Sequence, residues 1–102
     1  MMGKAREHLD AVAEVVRTTL SEKFRSVRIV NVQVIVEKDS EGADILRIFV
    51  VLDGRPKDVD ARELLGAVRY VRPKLSEIGE EAFPLFSFVS KGEFRDSRVG
   101  SA

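Results

Sequence analysis

The sequence predicts an α+β domain, a two-layer α-β-β-α-β sandwich whose three-stranded sheet carries its helices on one face. Three observations predict it. An apolar stripe at helical spacing fills the first two dozen residues. Two Val- and Ile-rich runs flank a polar turn. A second helical stripe precedes one more short β-type run.

The first helix is expected from about Lys4 to Phe24, because Leu9, Val12, Ala13, Val16 and Leu20 recur at spacings of three and four. Strand one follows over roughly Ser26 to Lys38 and strand two over Ala43 to Asp53. The turn Asp39-Ser40-Glu41-Gly42 between them reads as an antiparallel hairpin. Asp53-Gly54-Arg55-Pro56 is the next break, and Asp58 or Asp60 can cap a second helix. Ala61, Leu64, Leu65, Val68, Val71 and Leu75 form its apolar stripe. Pro73 interrupts it, so the helix either kinks there or stops near Arg72, and Gly79 terminates the segment. Phe83 to Val89 is strand three, with Pro84 favouring an edge position. Strand three lies beside strand two, parallel to it after a crossover, or beside strand one. Residues 1–90 form one domain on this reading, and the polar stretch from Lys91 to Ala102 is a loose tail.

The balance of 17 Lys and Arg against 17 Asp and Glu gives the whole chain no electrostatic drive toward nucleic acid or anionic lipid. With no cysteine, disulfides, thiolate catalysis and sulfur-ligated metals are excluded. No apolar run is long enough to span a bilayer, and a cytoplasmic protein is the expectation.

The strands carry apolar residues in both phases. Val30, Val32, Val34 and Val36 share one phase of strand one against Ile29 and Ile35, and Leu46, Ile48, Val50 and Leu52 oppose Ile45, Phe49 and Val51. A sheet covered on one face alternates apolar with polar, so this surplus predicts a second face that needs a partner. With Val30, Val32, Val34, Leu46, Ile48 and Val50 toward the helices, the open face shows Ile29, Ile35, Arg47, Phe49 and Val51. Strand three adds Phe86 and Phe88 or, in the other register, Leu85, Ser87 and Val89; Phe86 and Phe88 are the aromatic candidates for partner contact. The competing readings are that the tail, with Phe94 and Val99, folds back over this face, or that the exposed phase is an ordinary scatter of surface hydrophobics. Arg62, Arg69 and Arg72 concentrate positive charge on the second helix. Arg62 and Arg69 lie two turns apart around Gly66, an arrangement able to orient carboxylates or phosphates of a partner.

No reaction signature is present. The acidic turn at Asp39 to Asp44 lacks the calcium-loop spacing, because its glycine comes too early and no bidentate glutamate follows. His8, the only histidine, reads as a surface side chain whose neighbours Glu7 and Asp10 face elsewhere. A deep pocket lined by two or more carboxylates, or by His8 and a carboxylate, would revive an enzymatic reading. The serines have no histidine-plus-acid context, and the glycines form no phosphate cradle.

The run Val68-Arg69-Tyr70-Val71-Arg72-Pro73-Lys74-Leu75, continued by Gly79-Glu80-Glu81-Ala82-Phe83-Pro84-Leu85 and Ser87-Phe88-Val89-Ser90-Lys91, resembles a family of short bacterial proteins with no assigned activity. The likeness covers the second half of the chain and includes the Asp39 to Gly42 turn. It implies a shared compact fold and an intracellular bacterial setting, and no substrate, cofactor or catalytic residue. The expectation is a non-catalytic interaction module without cofactor or metal, forming a homodimer or docking a second small protein. Single-stranded nucleic-acid binding, or the antitoxin half of a two-protein pair, is the alternative.

Overall fold

The computed structural model describes residues 5–93. The first helix, α1, spans Arg6–Lys23. Its predicted stripe is its core face: Val12, Val16 and Leu20 are fully buried, with Leu9 and Ala13 packed beside them. Strands β1 (Arg28–Lys38) and β2 (Asp44–Asp53) form the antiparallel hairpin. Asp39 closes its turn by accepting from the amides of Glu41 at 2.8 Å and Ala43 at 2.9 Å. A 3-10 turn at Pro56–Asp58 leads to helices α2 (Ala61–Leu65) and α3 (Ala67–Glu77), then strand β3 (Phe83–Ser90). The sheet order is β1-β2-β3, with β3 parallel to β2. Pro84 thus sits on an edge strand, where a missing amide leaves no gap between two neighbours.

The second helical segment is interrupted at Gly66, whereas the sequence points to Pro73. The Asp60 carboxylate accepts from the Arg62 amide at 2.8 Å and starts α2. α3 then runs through Pro73, which lies exposed. Gly66 is buried, and a Cβ there would stand 2.8 Å from the Tyr70 ring. The missing side chain therefore makes room for Tyr70. Leu65 departs from the predicted stripe: it lies about one residue's 100° turn from Leu64 and is 84% exposed, while Leu64, Ala67, Val71 and Leu75 face the core.

α3 ends at Gly79 as expected. The Glu80 amide donates to Leu75 O at 2.9 Å and the Gly79 amide to Ser76 O at 3.0 Å, with Gly79 at φ +80°. This is a Schellman closure, which needs the left-handed backbone that glycine adopts without a Cβ clash. It delivers Glu80 into the interior.

One core joins the helices to one phase of the sheet. Leu46, Ile48, Val50 and Leu52 of β2 are fully buried with Val12, Val16, Leu20, Val71 and Leu75. From β1 the core takes Val32, Val34, Val36 and also Ile29, which corrects the assignment of Ile29 to the open face. The cause is a β-bulge. Ile29 pairs with Leu52 and Asn31 with Val51, so Val30 is the extra residue and the side-chain phase reverses across it. Ile29 is consequently 7% exposed and Val30 36%.

Phe86 and Phe88 also leave the open face. The parallel register sets Phe86 beside Ile48 and Phe88 beside Val50, in the core-facing phase. Both pack against the core; their rings stack 5.8 Å apart, and Phe88 meets Phe24 at 5.7 Å. The domain is α+β, with a mixed sheet. After β3, Lys91 to Glu93 take a helical turn fixed by reciprocal bonds: the Ser90 amide to Glu93 Oε1 at 3.0 Å, and the Glu93 amide to Ser90 Oγ at 3.1 Å. That capping box makes the first residues of the expected loose tail regular. Phe94 and Val99 lie outside the described residues.

Candidate interaction surface

The second phase of the strands forms a lattice of four cross-strand rows. They are Glu37–Ile45–Phe83, Ile35–Arg47–Leu85, Gln33–Phe49–Ser87 and Asn31–Val51–Val89, each read from β1 to β3. Ile35 and Phe83 are each 46% exposed and Leu85 39%, while Ile45, Phe49 and Val89 are half-buried. Adjacent rows bring these side chains side by side, so they make one patch rather than scattered points.

Among the predicted contact residues, Ile35, Arg47 and Phe49 lie on this patch. Val51 shares its phase but is 3% exposed, so its small side chain on the middle strand offers a partner no surface. Leu85 and Phe83 take the places expected of Phe86 and Phe88. Phe83 was legible only as the start of a strand, because its facing depends on the register with β2.

Within the four rows, charge is confined to one pair. Arg47 Nε donates to Glu37 Oε2 at 3.1 Å, with both side chains part-exposed. Arg62, Arg69 and Arg72 are exposed on α2 and α3 instead. Arg72 is the one that reaches the patch, its guanidinium 5.6 Å from the Phe83 ring centroid. Arg69 lies 5.6 Å from the Tyr70 ring.

A second polar arrangement was invisible in the sequence. His8 Nε2 lies 2.7 Å from Glu80 Oε1, and the Ala82 amide donates to Glu80 Oε2 at 2.9 Å. The Glu80 side chain is 2% exposed and that of His8 31%. His8 is therefore not the free surface histidine its sequence neighbours imply, since the partner lies 72 residues away. Glu80 also borders an open cleft of about 800 Å³ lined by Lys38, Asp39, Asp44, Glu81 and Phe83. The acids of that cleft have structural tasks. Asp39 holds the hairpin turn, Asp44 pairs with Lys38 at 2.6 Å, Glu81 accepts from Ser76 at 2.7 Å, and Glu80 anchors His8 and Ala82. Among the described residues no group of three or more such side chains is placed to hold a metal ion.

The fold and surface together define an α+β domain with one half of its sheet phase packed and the other presented. Comparison with protein-family models, curated proteins and solved structures finds no match to this chain. Among the described residues no helix is long and apolar enough to cross a membrane.

Proposed function

We propose that this chain is a non-catalytic interaction module whose open sheet face docks against a second copy of itself. The observation carrying this reading is the contiguous patch of Ile35, Phe49, Phe83 and Leu85 around a single ion pair, Arg47 with Glu37. A face with one charge of each sign is self-complementary. A two-fold axis through it brings Arg47 of each copy toward Glu37 of the other, so no charge is buried unpaired. The same composition opposes single-stranded nucleic acid, because the one cation within the four rows, Arg47, already has a carboxylate, leaving only Arg72 at the edge by Phe83.

The area sets the strength. Three exposed and several half-buried side chains amount to roughly 400 Å² per copy, about half the area of a standard interface. Burying two such faces gives on the order of 20 kcal/mol gross, most of it offset by the cost of association. The dimer is accordingly reversible, with a dissociation constant on the order of 10 μM.

Sedimentation equilibrium from about 5 to 300 μM tests this. Wild type is expected to shift from monomer to dimer across that range, while Phe49→Asp and Leu85→Asp remain monomeric and folded. A wild-type chain that stays monomeric at the highest concentration, or a dimer that survives both substitutions, refutes self-docking through this face. Dimer loss only on changing residues of α2 or α3 would move the interface to the helices.

A further inference from the structure

We infer that Lys23, Arg69 and Tyr70 form a binding site for a small phosphate anion, on the helical side and separate from the sheet face. Lys23 Nζ lies 5.0 Å from the Tyr70 ring centroid and Arg69 Cζ 5.6 Å from the same centroid. Two positive charges from different helices thus gather on one ring. Neither has a carboxylate partner among the described residues, whereas Arg17, Arg28, Lys38, Arg47, Arg55, Lys74 and Lys91 each do.

The arrangement is built by the fold. Gly66 leaves the space that the Tyr70 ring occupies, since a Cβ would stand 2.8 Å from it. The ring is therefore held at the α2–α3 junction, where the end of α1 delivers Lys23. The negative face of an aromatic ring attracts each cation but does not neutralise two of them. A dianionic oxyanion has the acceptors and the charge to take hydrogen bonds from both the ammonium and the guanidinium. Phosphate suits this better than a monocarboxylate because it offers several acceptor oxygens and about two charges near neutral pH. Both cations are solvent-exposed, so the affinity is expected to be on the order of millimolar.

Tyr70 is the only tyrosine and the chain has no tryptophan, so intrinsic fluorescence reports this position alone. Inorganic phosphate and methyl phosphate are titrated separately at constant ionic strength, with sodium chloride as the balancing salt. Saturable change in Tyr70 emission is expected, weakened several-fold by Lys23→Gln or Arg69→Gln and abolished by the double substitution. Arg28→Gln, whose charge belongs to the pair with Asp53, leaves it unchanged. Saturation with both compounds assigns the site to phosphomonoesters, and saturation with inorganic phosphate alone assigns it to the free anion. A linear loss of emission without saturation is collisional quenching and overturns the inference, as does a saturable change that persists in the double variant. Thermal unfolding gives an independent readout, because phosphate should raise the Tm of wild type and not of the double variant. A monomeric Phe49→Asp chain should still bind, so failure of the sheet-face reading and failure of this one are distinguishable.

Discussion

Removing the Glu80 carboxylate should unfasten the start of α1 from the loop between α3 and β3. Glu80→Ala deletes, among the described residues, the bonds to His8 at 2.7 Å and to the Ala82 amide at 2.9 Å, from a side chain that is 2% exposed. A hydrogen bond involving a charged group contributes roughly 1.5–3 kcal/mol and a neutral one about 1 kcal/mol, so the expected loss is about 2–4 kcal/mol. For a domain of this size that lowers Tm by roughly 10–25 °C. His8→Ala should cost only about 1 kcal/mol, because its side chain is partly solvated and Glu80 keeps its bond to Ala82. Glu80→Gln preserves shape and one acceptor, and should fall between the two. Urea unfolding at pH 7 of wild type, both alanine variants and the double variant gives a cycle, with an expected His8–Glu80 coupling of about 1 kcal/mol. Coupling below about 0.3 kcal/mol, or a Glu80→Ala loss within the roughly 0.5 kcal/mol of ordinary surface changes, would refute the anchoring argument.

The bulge makes a paired prediction. Ile29→Ala should cost about 2–4 kcal/mol, and Val30→Ala less than about 1 kcal/mol, in the same unfolding assay. Equal losses would contradict the phase reversal. Glu63 Oε1 is buried without a hydrogen-bond partner among the described residues, so Glu63→Met should stabilise the protein by about 1 kcal/mol, read as a rise in urea midpoint. The Arg17 side chain, hydrogen-bonded to Glu14, holds the Glu14 carboxyl below the usual glutamate range. A depressed folded value means that the pair's small contribution is present above the unfolded value and fades as pH falls through the folded one. A side-chain NMR titration should give Glu14 a lower midpoint in wild type than in Arg17→Gln.

Local chemistry carried most of the element order into view. The α1 stripe from Leu9 to Leu20, the hairpin turn held by Asp39, the cap at Asp60 and the stop at Gly79 all depend on residues within about five positions of each other, so each is readable in isolation. Pro84 signalled an edge for the same reason: the lost amide is its own. The candidate surface was legible only where strand phase ran undisturbed. Ile35, Arg47 and Phe49 follow β alternation from the middle of their strands, and they sit where that alternation puts them. The break in the second helix was misplaced because a buried glycine beside a tyrosine leaves no local signature, while an exposed proline leaves a strong one.

The sequence by itself determined the α+β class, the hairpin and the excess of apolar β-surface, because hydrophobic periodicity and turn chemistry act over a few residues. Tertiary structure alone decided the rest. Register with β2 turned Phe86 and Phe88 inward and Leu85 and Phe83 outward, and one extra residue at Val30 moved Ile29 into the core. Chain reversal between α1 and α3 brought Lys23 to Tyr70 and His8 to Glu80. Those outcomes depend on which distant segments meet, and contact across dozens of residues is fixed by the packing of the whole core, not by any local pattern.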